Sequence, residues 1–575
     1  MERIIKGYFN KFISDFDYSD DVSELTTTFE KFCAYVILQN ELPNLNFSQD
    51  EIDSVNVGQY KGIDSICFIV NGKLICSLQE VEDLLDLNGY LEINVLFIQS
   101  KTSEKFEDSE IGNFGDTIKD FLNEEPHYPQ NQEAKIYHEI LLYLYDNFYQ
   151  VRELKIKGYF CSTGKWSSNT TCQTTIEKKN AEIDSEHGDK LKNGNCKLIP
   201  LDSPELQKLF EKANSPIKAE FEFANKINLQ DIPNSIKEAY YGTILFSEYR
   251  KIIIDPETDN LRNLFYDNVR DDLGEKNPVN LDITKTIESG SFNTFPLLNN
   301  GVTIIAEENK GGGNKFILDN FQIVNGCQTS NVLFRHRDME GINNLTVPLK
   351  LIITNDTDIK DNIIVATNNQ TEIKEEQLMA LSEFQKGLEK FYISLNSEIF
   401  YERRVNQYFG TSIKKKCIVN LREQIKTFVA IFMEEPHLVS GYFGRTYREK
   451  KDSIFLTEHK YDPYFFSGLL QYKFKELITK KDIDRKYNKA RYHIFMIFRK
   501  IHEPFEFNLN LLKQKKVIKY IAELNLAIQE NNIINSFNKA IEVVDKSGID
   551  IENPKEIYKK STTNTLMDKY KELYK

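Results

Sequence analysis

Long apolar runs are missing from this sequence: no stretch of about 18 consecutive apolar residues occurs, so it offers no membrane-spanning helix. The opening segment MERIIKGYFNKF lacks the apolar core and small-residue cleavage site of a signal peptide, and a cytoplasmic location is expected. Paired cysteine spacing is missing too. The eight cysteines, Cys33, Cys67, Cys76, Cys161, Cys172, Cys196, Cys327 and Cys417, include no CxxC, and several sit in apolar stretches such as FCAYVIL and SICFIV. Buried free thiols are therefore expected, not disulfides or zinc ligands. The eight histidines are dispersed without HxxxH, which further disfavours zinc. Positive charge is scarce overall, and a net charge of −14 argues against a protein that simply coats DNA. No internal repeat is evident, and no low-complexity tract beyond Lys414–Lys416 and the Lys-rich terminus.

What is present is enough for folded cores: 575 residues, 40% apolar and 12% aromatic, with two to four domains as the reasonable expectation. The charge is unevenly placed. Residues 1–130 hold 9 Lys+Arg against 25 Asp+Glu, a balance of −16, whereas residues 401–500 hold 22 against 11, a balance of +11. If a polyanion binds, the later segment is expected to hold its backbone.

Residues 22–40 place Leu25, Phe29, Phe32, Cys33, Val36 and Ile37 at helical spacing. Two β-rich runs then flank Asn71-Gly72, a strong two-residue hairpin signal, and a third strand follows at 90–102. LQEVEDLLDLNG is a short helix or a crossing loop, 133–151 is helical in pattern, and 155–165 has the pattern of a buried strand. This order predicts a mixed α/β layer over 1–180. The polar stretch 178–200 is expected to be a loose connection. A second α/β domain is placed at 200–410, with strands at TILFS, KIIID, GVTIIAEE, KFILDNFQIV and VPLKLIIT and a turn at Gly311-Gly312-Gly313. Residues 411–575 are expected to be mainly helical.

Strand alternation along FIQSKT puts Gln99 and Lys101 on one face, and Asp64 begins the adjoining hairpin. Phosphodiester hydrolysis needs a hard cation, an activated water and a positive group beside it. A carboxylate (Asp64), an amide oxygen (Gln99), the main-chain carbonyl of Ser100 and Lys101 supply such parts. The plainer reading is a solvated strand edge; against it, these polar residues terminate strongly apolar strands. The residues resemble the PD-(D/E)xK nuclease superfamily in the variant where glutamine replaces the acid, as in restriction enzymes acting on modified DNA. The resemblance implies a restriction-endonuclease-like mixed sheet with flanking helices. It also implies Asp64, Gln99 and Ser100 as ligands of Mg²⁺ (or Mn²⁺), and Lys101 as the residue orienting the attacking water. By position it adds Glu30 of the first helix, with Glu24 as a weaker candidate. Gln99 brings no charge, which lowers the expected grip on metal.

A second constellation lies in the middle domain. FPLLNNGVTI brings Asn299, Asn300 and Gly301; FQIVNGCQTSN brings Asn325, Gly326, Gln328 and Thr329; ATNNQTEIKEEQL brings Asn368, Asn369 and Gln370; and YERRVNQY brings Arg403 and Arg404. A glycine turn at a helix start exposes N–H groups suited to an anion, and amides, arginines and aromatics together suit nucleotide or single-strand binding. Tight turns with capping side chains are the simpler alternative. These segments, with LFYDNVRDDLG (264–274), occur in an order resembling the abortive-infection phage-resistance (AIPR) family over about 210–410. That resemblance implies a bacterial antiphage role and a metal-dependent nuclease, DNA ahead of RNA. The alternative is a catalytically inactive nucleotide or nucleic-acid sensor that recruits a partner. Expected partners are nucleic acid, a nucleotide, and a second copy or another defence protein, with no membrane.

Overall fold

The computed structural model describes residues 3–575 except 20, 22, 43, 44, 46, 167–169, 192–194, 215, 216, 257, 258, 260, 263, 265–277, 369–381, 405, 406, 409, 410, 440–442, 530 and 531. The chain divides into two compact units. One comprises 1–35, 46–207 and 382–575, and the other 36–45 and 208–381.

In the first unit, α1 (Arg3–Phe16), α2 (Leu25–Glu41) and α3 (Gln49–Val55) precede a sheet. The helix α3 starts at a reciprocal cap: Ser48 and Glu51 each satisfy the other's backbone N–H. The sheet contains β1 (Asn56–Tyr60), β2 (Ile63–Val70), β3 (Lys73–Ile75), β4 (Leu91–Lys101), β5 (Val151–Ser162) and β6 (Cys196–Leu201), in the order β1-β2-β4-β5-β6 with β3 on β2. The pairs β1–β2 and β2–β4 are antiparallel, and β4–β5 and β5–β6 are parallel. The Asn71-Gly72 signal is realised: both residues have positive φ (49° and 73°), and Val70 pairs with Lys73. LQEVEDLLDLN is helix α4 (Leu78–Asn88), stopped by left-handed Gly89. Helices α5 (Asp108–Phe121), α6 (Gln132–Asp146) and α7 (Thr170–His187) complete the α/β layer. Ile66 and Phe68 of β2 and Val95 and Phe97 of β4 share a core with Ile111, Phe114 and Ile118 of α5 and Ile140 of α6. Each such side chain contributes about 1.5–3 kcal/mol on burial.

The stretch 178–200 is not a loose connection. It carries the second half of α7 and β6 as far as Pro200, anchored by buried Ile183, Leu191, Cys196 and Leu198. The remainder of this unit is mainly helical, as expected, with helices Leu421–Phe432, Asp462–Thr479, Arg491–His502, Lys516–Ala527, Ile533–Lys546 and Lys560–Tyr574. Phe428 stacks on Tyr464 at 3.9 Å, and Phe474 and Phe498 both meet Phe537.

Several cations of the later segment pair with acids of the N-terminal part. Asp50 of α3 meets Lys475 (3.3 Å) and Arg491 (3.2 Å) and accepts from Asn488 (2.9 Å). Asp53 meets Lys31 (2.7 Å) and Arg485. Lys416 pairs with Asp17 and Lys481 with Glu24, each at 2.7 Å. Burial pushes the Asp50 carboxyl up, but Arg491 and Lys475 outweigh it and hold the group well below the usual range. These five cations offset part of the negative charge of the N-terminal part.

After helix α8 (Ser203–Ala213), the second unit contains β7 (Lys218–Glu222), β8 (Asn225–Asn228), β9 (Ile236–Leu245), β10 (Val302–Asn309), β11 (Lys315–Asn325) and β12 (Thr346–Thr354). They form a mixed sheet in the order β7-β11-β10-β12-β9-β8. Around it lie α9 (Phe246–Ile253), α10 (Pro278–Glu288), α11 (Phe295–Leu298), α12 (Cys327–Arg335) and α13 (Thr357–Asn368). KIIID is not a strand: Lys251–Ile253 end α9, because Phe246, Tyr249, Ile252 and Ile253 fall at helical spacing and are all buried. All eight cysteines are free, and Cys76 and Cys417 alone are half-buried. Among the described residues no helix is long and apolar enough to cross a membrane.

Candidate active site

The C-terminal end of β4 is where apolar strand gives way to polar side chains: Gln99, Ser100 and Lys101 lie on it, Asp64 is bonded to it, and the charge of Glu30 acts on Asp64. Asp64, at the start of β2, turns its carboxylate onto the main chain of β4: Ser100 N–H donates to Asp64 Oδ2 at 2.6 Å. Burial, and next the charge of Glu30, push the Asp64 carboxyl up to about 8, while the Ser100 N–H and Lys101 pull it down. Glu30 of α2 is thus beside Asp64. Its own carboxyl is raised by burial, against a hydrogen bond from Asn56 Nδ2 (3.1 Å) and the charge of Lys31. Burial thus disfavours the charged form of both carboxyls, and a cation bound here would favour it.

Gln99 is 4% exposed, and its Oε1 is buried with no hydrogen-bond partner. An unpaired buried amide oxygen costs about 1–3 kcal/mol, so this position suits a donor or a cation. The turn before β2 is shaped to it. Gly62 has φ +88° and a Cβ there would sit 3.3 Å from Gln99 Nε2, while Thr117 of α5 donates to Lys61 O at 2.8 Å and fixes the turn. Lys101 lies at the rim, about a third exposed, and pairs with Glu110 of α5 at 2.9 Å. Among the described residues no cluster of three or more His, Cys, Asp or Glu is arranged for a metal; this site has two carboxylates, and its third oxygen is an amide.

Glu110, Asn56 and Gly62 escaped the sequence reading. Glu110 is one of several acids in EKFEDSE, and only the turn of α5 toward β4 singles it out. Glu24 is committed to Lys481, and that bond holds it as a surface ion pair.

The middle-domain residues separate into groups. Gly301 and Gly326 come together: a Cβ on Gly326 would lie 3.1 Å from Gly301 O. Asn325 pairs with Thr303 in the β10–β11 ladder, and Gly326, Gln328 and Thr329 start α12. Asn300 is exposed, and Asn299 Nδ2 donates to Phe295 O at 3.0 Å. Asn368 ends α13, while Asn369 and Gln370 lie outside the described residues. Arg403 and Arg404 belong to the other unit. Arg403 is 3% exposed and bonded to Glu389 at 3.0 Å, so its guanidinium is spent inside the fold.

Comparison with known families gives one match: the model described as AIPR protein fits residues 265–573, more than half of the chain. The match extends through the C-terminal helices, well past the 210–410 segment that carries the sequence resemblance. No curated protein and no solved structure matches.

Proposed function

The chain belongs to the AIPR family, and we propose that it is a metal-dependent nuclease of abortive-infection phage defence, acting on DNA ahead of RNA. The observation that carries this reading is Asp64, held by the Ser100 N–H and acted on by the charge of Glu30, at the strand end where Gln99 keeps an unpaired buried oxygen. Hard oxygen donors in a half-buried setting suit Mg²⁺ or Mn²⁺, and Asp64, Gln99 and the Ser100 carbonyl would hold the ion, with Glu30 beside them. When bound, such an ion neutralises charge developing on the phosphate and eases ionisation of water.

The protein's own groups divide the remaining work. Asp64 is fixed by the Ser100 N–H, so its free oxygen is aimed without needing to reorganise. Glu30 is steadied by Asn56 and is placed to take a proton from an attacking water. Lys101, at the rim and held by Glu110, presents an ammonium to the phosphate and orients the water.

The test is a cleavage assay with Mg²⁺ or Mn²⁺ on double- and single-stranded DNA and on RNA. Cutting should occur and disappear in Lys101→Ala and Asp64→Ala proteins that retain their circular dichroism. Absence of cutting on every substrate, or undiminished cutting by Lys101→Ala, overturns the proposal. A second reading, a non-cleaving sensor, is favoured by the Lys101–Glu110 ion pair, which occupies the ammonium, and by the uncharged Gln99. It predicts nucleic-acid or nucleotide binding with no metal-dependent turnover.

A further inference from the structure

The middle sheet has a second buried amide without partners, in different surroundings. Gln328 is 8% exposed, and neither its Oε1 nor its Nε2 has a hydrogen-bond partner. It stands in the first turn of α12, whose N-cap is Gly326 (φ 103°) with no side-chain cap. Helical side chains lean toward the N-terminus of their helix, so this carboxamide leans toward the uncapped end. The first bond of the helix is Ser330 N to Gly326 O at 2.9 Å, which leaves the N–H groups of Gln328 and Thr329 ahead of it without intrahelical acceptors.

The neighbouring polar groups are already engaged. Ser330 Oγ meets Tyr249 OH and Gly326 O, each at 2.7 Å, and Asn331 Nδ2 donates to Cys327 O at 3.0 Å. Glycine lets the backbones at this end approach closely. A Cβ on Gly326 would lie 2.6 Å from Val302 Cγ2, and one on Gly301 (φ 76°) would lie 2.6 Å from Pro348 O. No Asp or Glu occurs in 289–306 or 320–337, the two stretches that form these turns, although the chain has 87. A helix N-terminus free of carboxylates attracts an anion, and an unpaired buried amide calls for a ligand with both donors and acceptors.

We propose that the meeting point of the Gly301 and Gly326 turns binds a mononucleotide. Its phosphate is received by the N–H groups of Gln328 and Thr329 and by Gln328 Nε2, and a sugar hydroxyl donates to Gln328 Oε1. A polynucleotide backbone would need a row of cations; these two stretches carry Arg335 and Arg337 only, and Arg337 is taken up by Asp259. The site is independent of cleavage at Asp64.

The test is calorimetry and thermal melting of the full chain without metal. The probes are inorganic phosphate, the nucleoside mono- and triphosphates, and a single-stranded oligonucleotide. At least one mononucleotide should bind and raise the melting temperature, with phosphate competing. Gln328→Leu and Gln328→Glu should each weaken it at least tenfold, and Gln328→Leu alone should melt no lower than the wild type, because it removes an unsatisfied buried group. Absence of binding by every mononucleotide, binding of the oligonucleotide alone, unchanged affinity in Gln328→Glu, or a marked fall in melting temperature for Gln328→Leu overturns the proposal. With no metal in the cell, either outcome leaves the nuclease reading to its own assay.

Discussion

The two six-stranded sheets each end in a buried glutamine amide with unpaired atoms, and their neighbours give the two amides opposite meanings. Gln99 directly precedes Ser100, whose N–H holds Asp64, and its amide packs on Gly62, two residues before that carboxylate, so its bare oxygen belongs to a strand end whose acids call for a cation. Gln328 lies in the first turn of a helix between stretches without acids, so the same side chain joins a set of donors that calls for an anion. One residue type thus acquires its role from the charge around it. An unsatisfied amide alone does not name its ligand.

The sharpest way to break this contrast is at the first sheet. Lys101→Ala should lower cleavage on the order of 10²–10⁴-fold, with melting temperature nearly unchanged because Lys101 is a rim residue. A variant that cuts normally would leave the first sheet without its chemistry. Next in size is Asp50→Ala, which strips Lys475 and Arg491 of their shared carboxylate. It should cost about 3 kcal/mol in denaturant unfolding. A loss within error of zero would show that the acidic N-terminal part and the later cations do not depend on each other.

Sequence alone made the first site partly legible. Asp64, Gln99 and Lys101 stood out as candidates because each lies at one end of an apolar strand, and Asn71-Gly72 fixed the hairpin that carries Asp64. Glu110 did not, since it is nine positions beyond Lys101 on a helix whose direction is set by tertiary packing. Helix α7 was missed because it is almost wholly polar, with one core residue, Ile183, in the part that looked like a linker. KIIID misled in the opposite way. Its β-branched run suggests a strand, but the burial of Phe246 and Tyr249 just before it makes the period helical.

Two smaller effects sharpen the contrast. Charge should act in opposite senses at the two amides. Gln99→Glu should enlarge the rise in melting temperature given by Mg²⁺ or Mn²⁺, and Gln328→Glu should weaken mononucleotide binding tenfold, about 1.4 kcal/mol. A shift of the same sign at both sites would refute the electrostatic distinction. The smallest effect is a pH control in the helical region, away from either sheet. Burial, and next Lys513, lower His459 to about 4, and burial, and next His437, lower His493 to about 3. Depressed folded values mean that their stabilising contribution is complete above the unfolded value near 6.5 and is lost as pH falls toward 4. Melting between pH 7 and pH 5 should show a decline on the order of 1 kcal/mol per pH unit, reduced in His493→Gln.

The bond from Asn488 to Asp50 joins residues 438 positions apart. Synthesis runs from the N-terminus, so Asp50 leaves the ribosome long before Lys475, Asn488 and Arg491 exist to meet it. A nascent or truncated chain ending before these residues has the complete candidate active site but an α3 whose carboxylate lacks its partners. The helix that leads into the sheet carrying Asp64 therefore waits on residues 475–491 for the charge partners of its carboxylate.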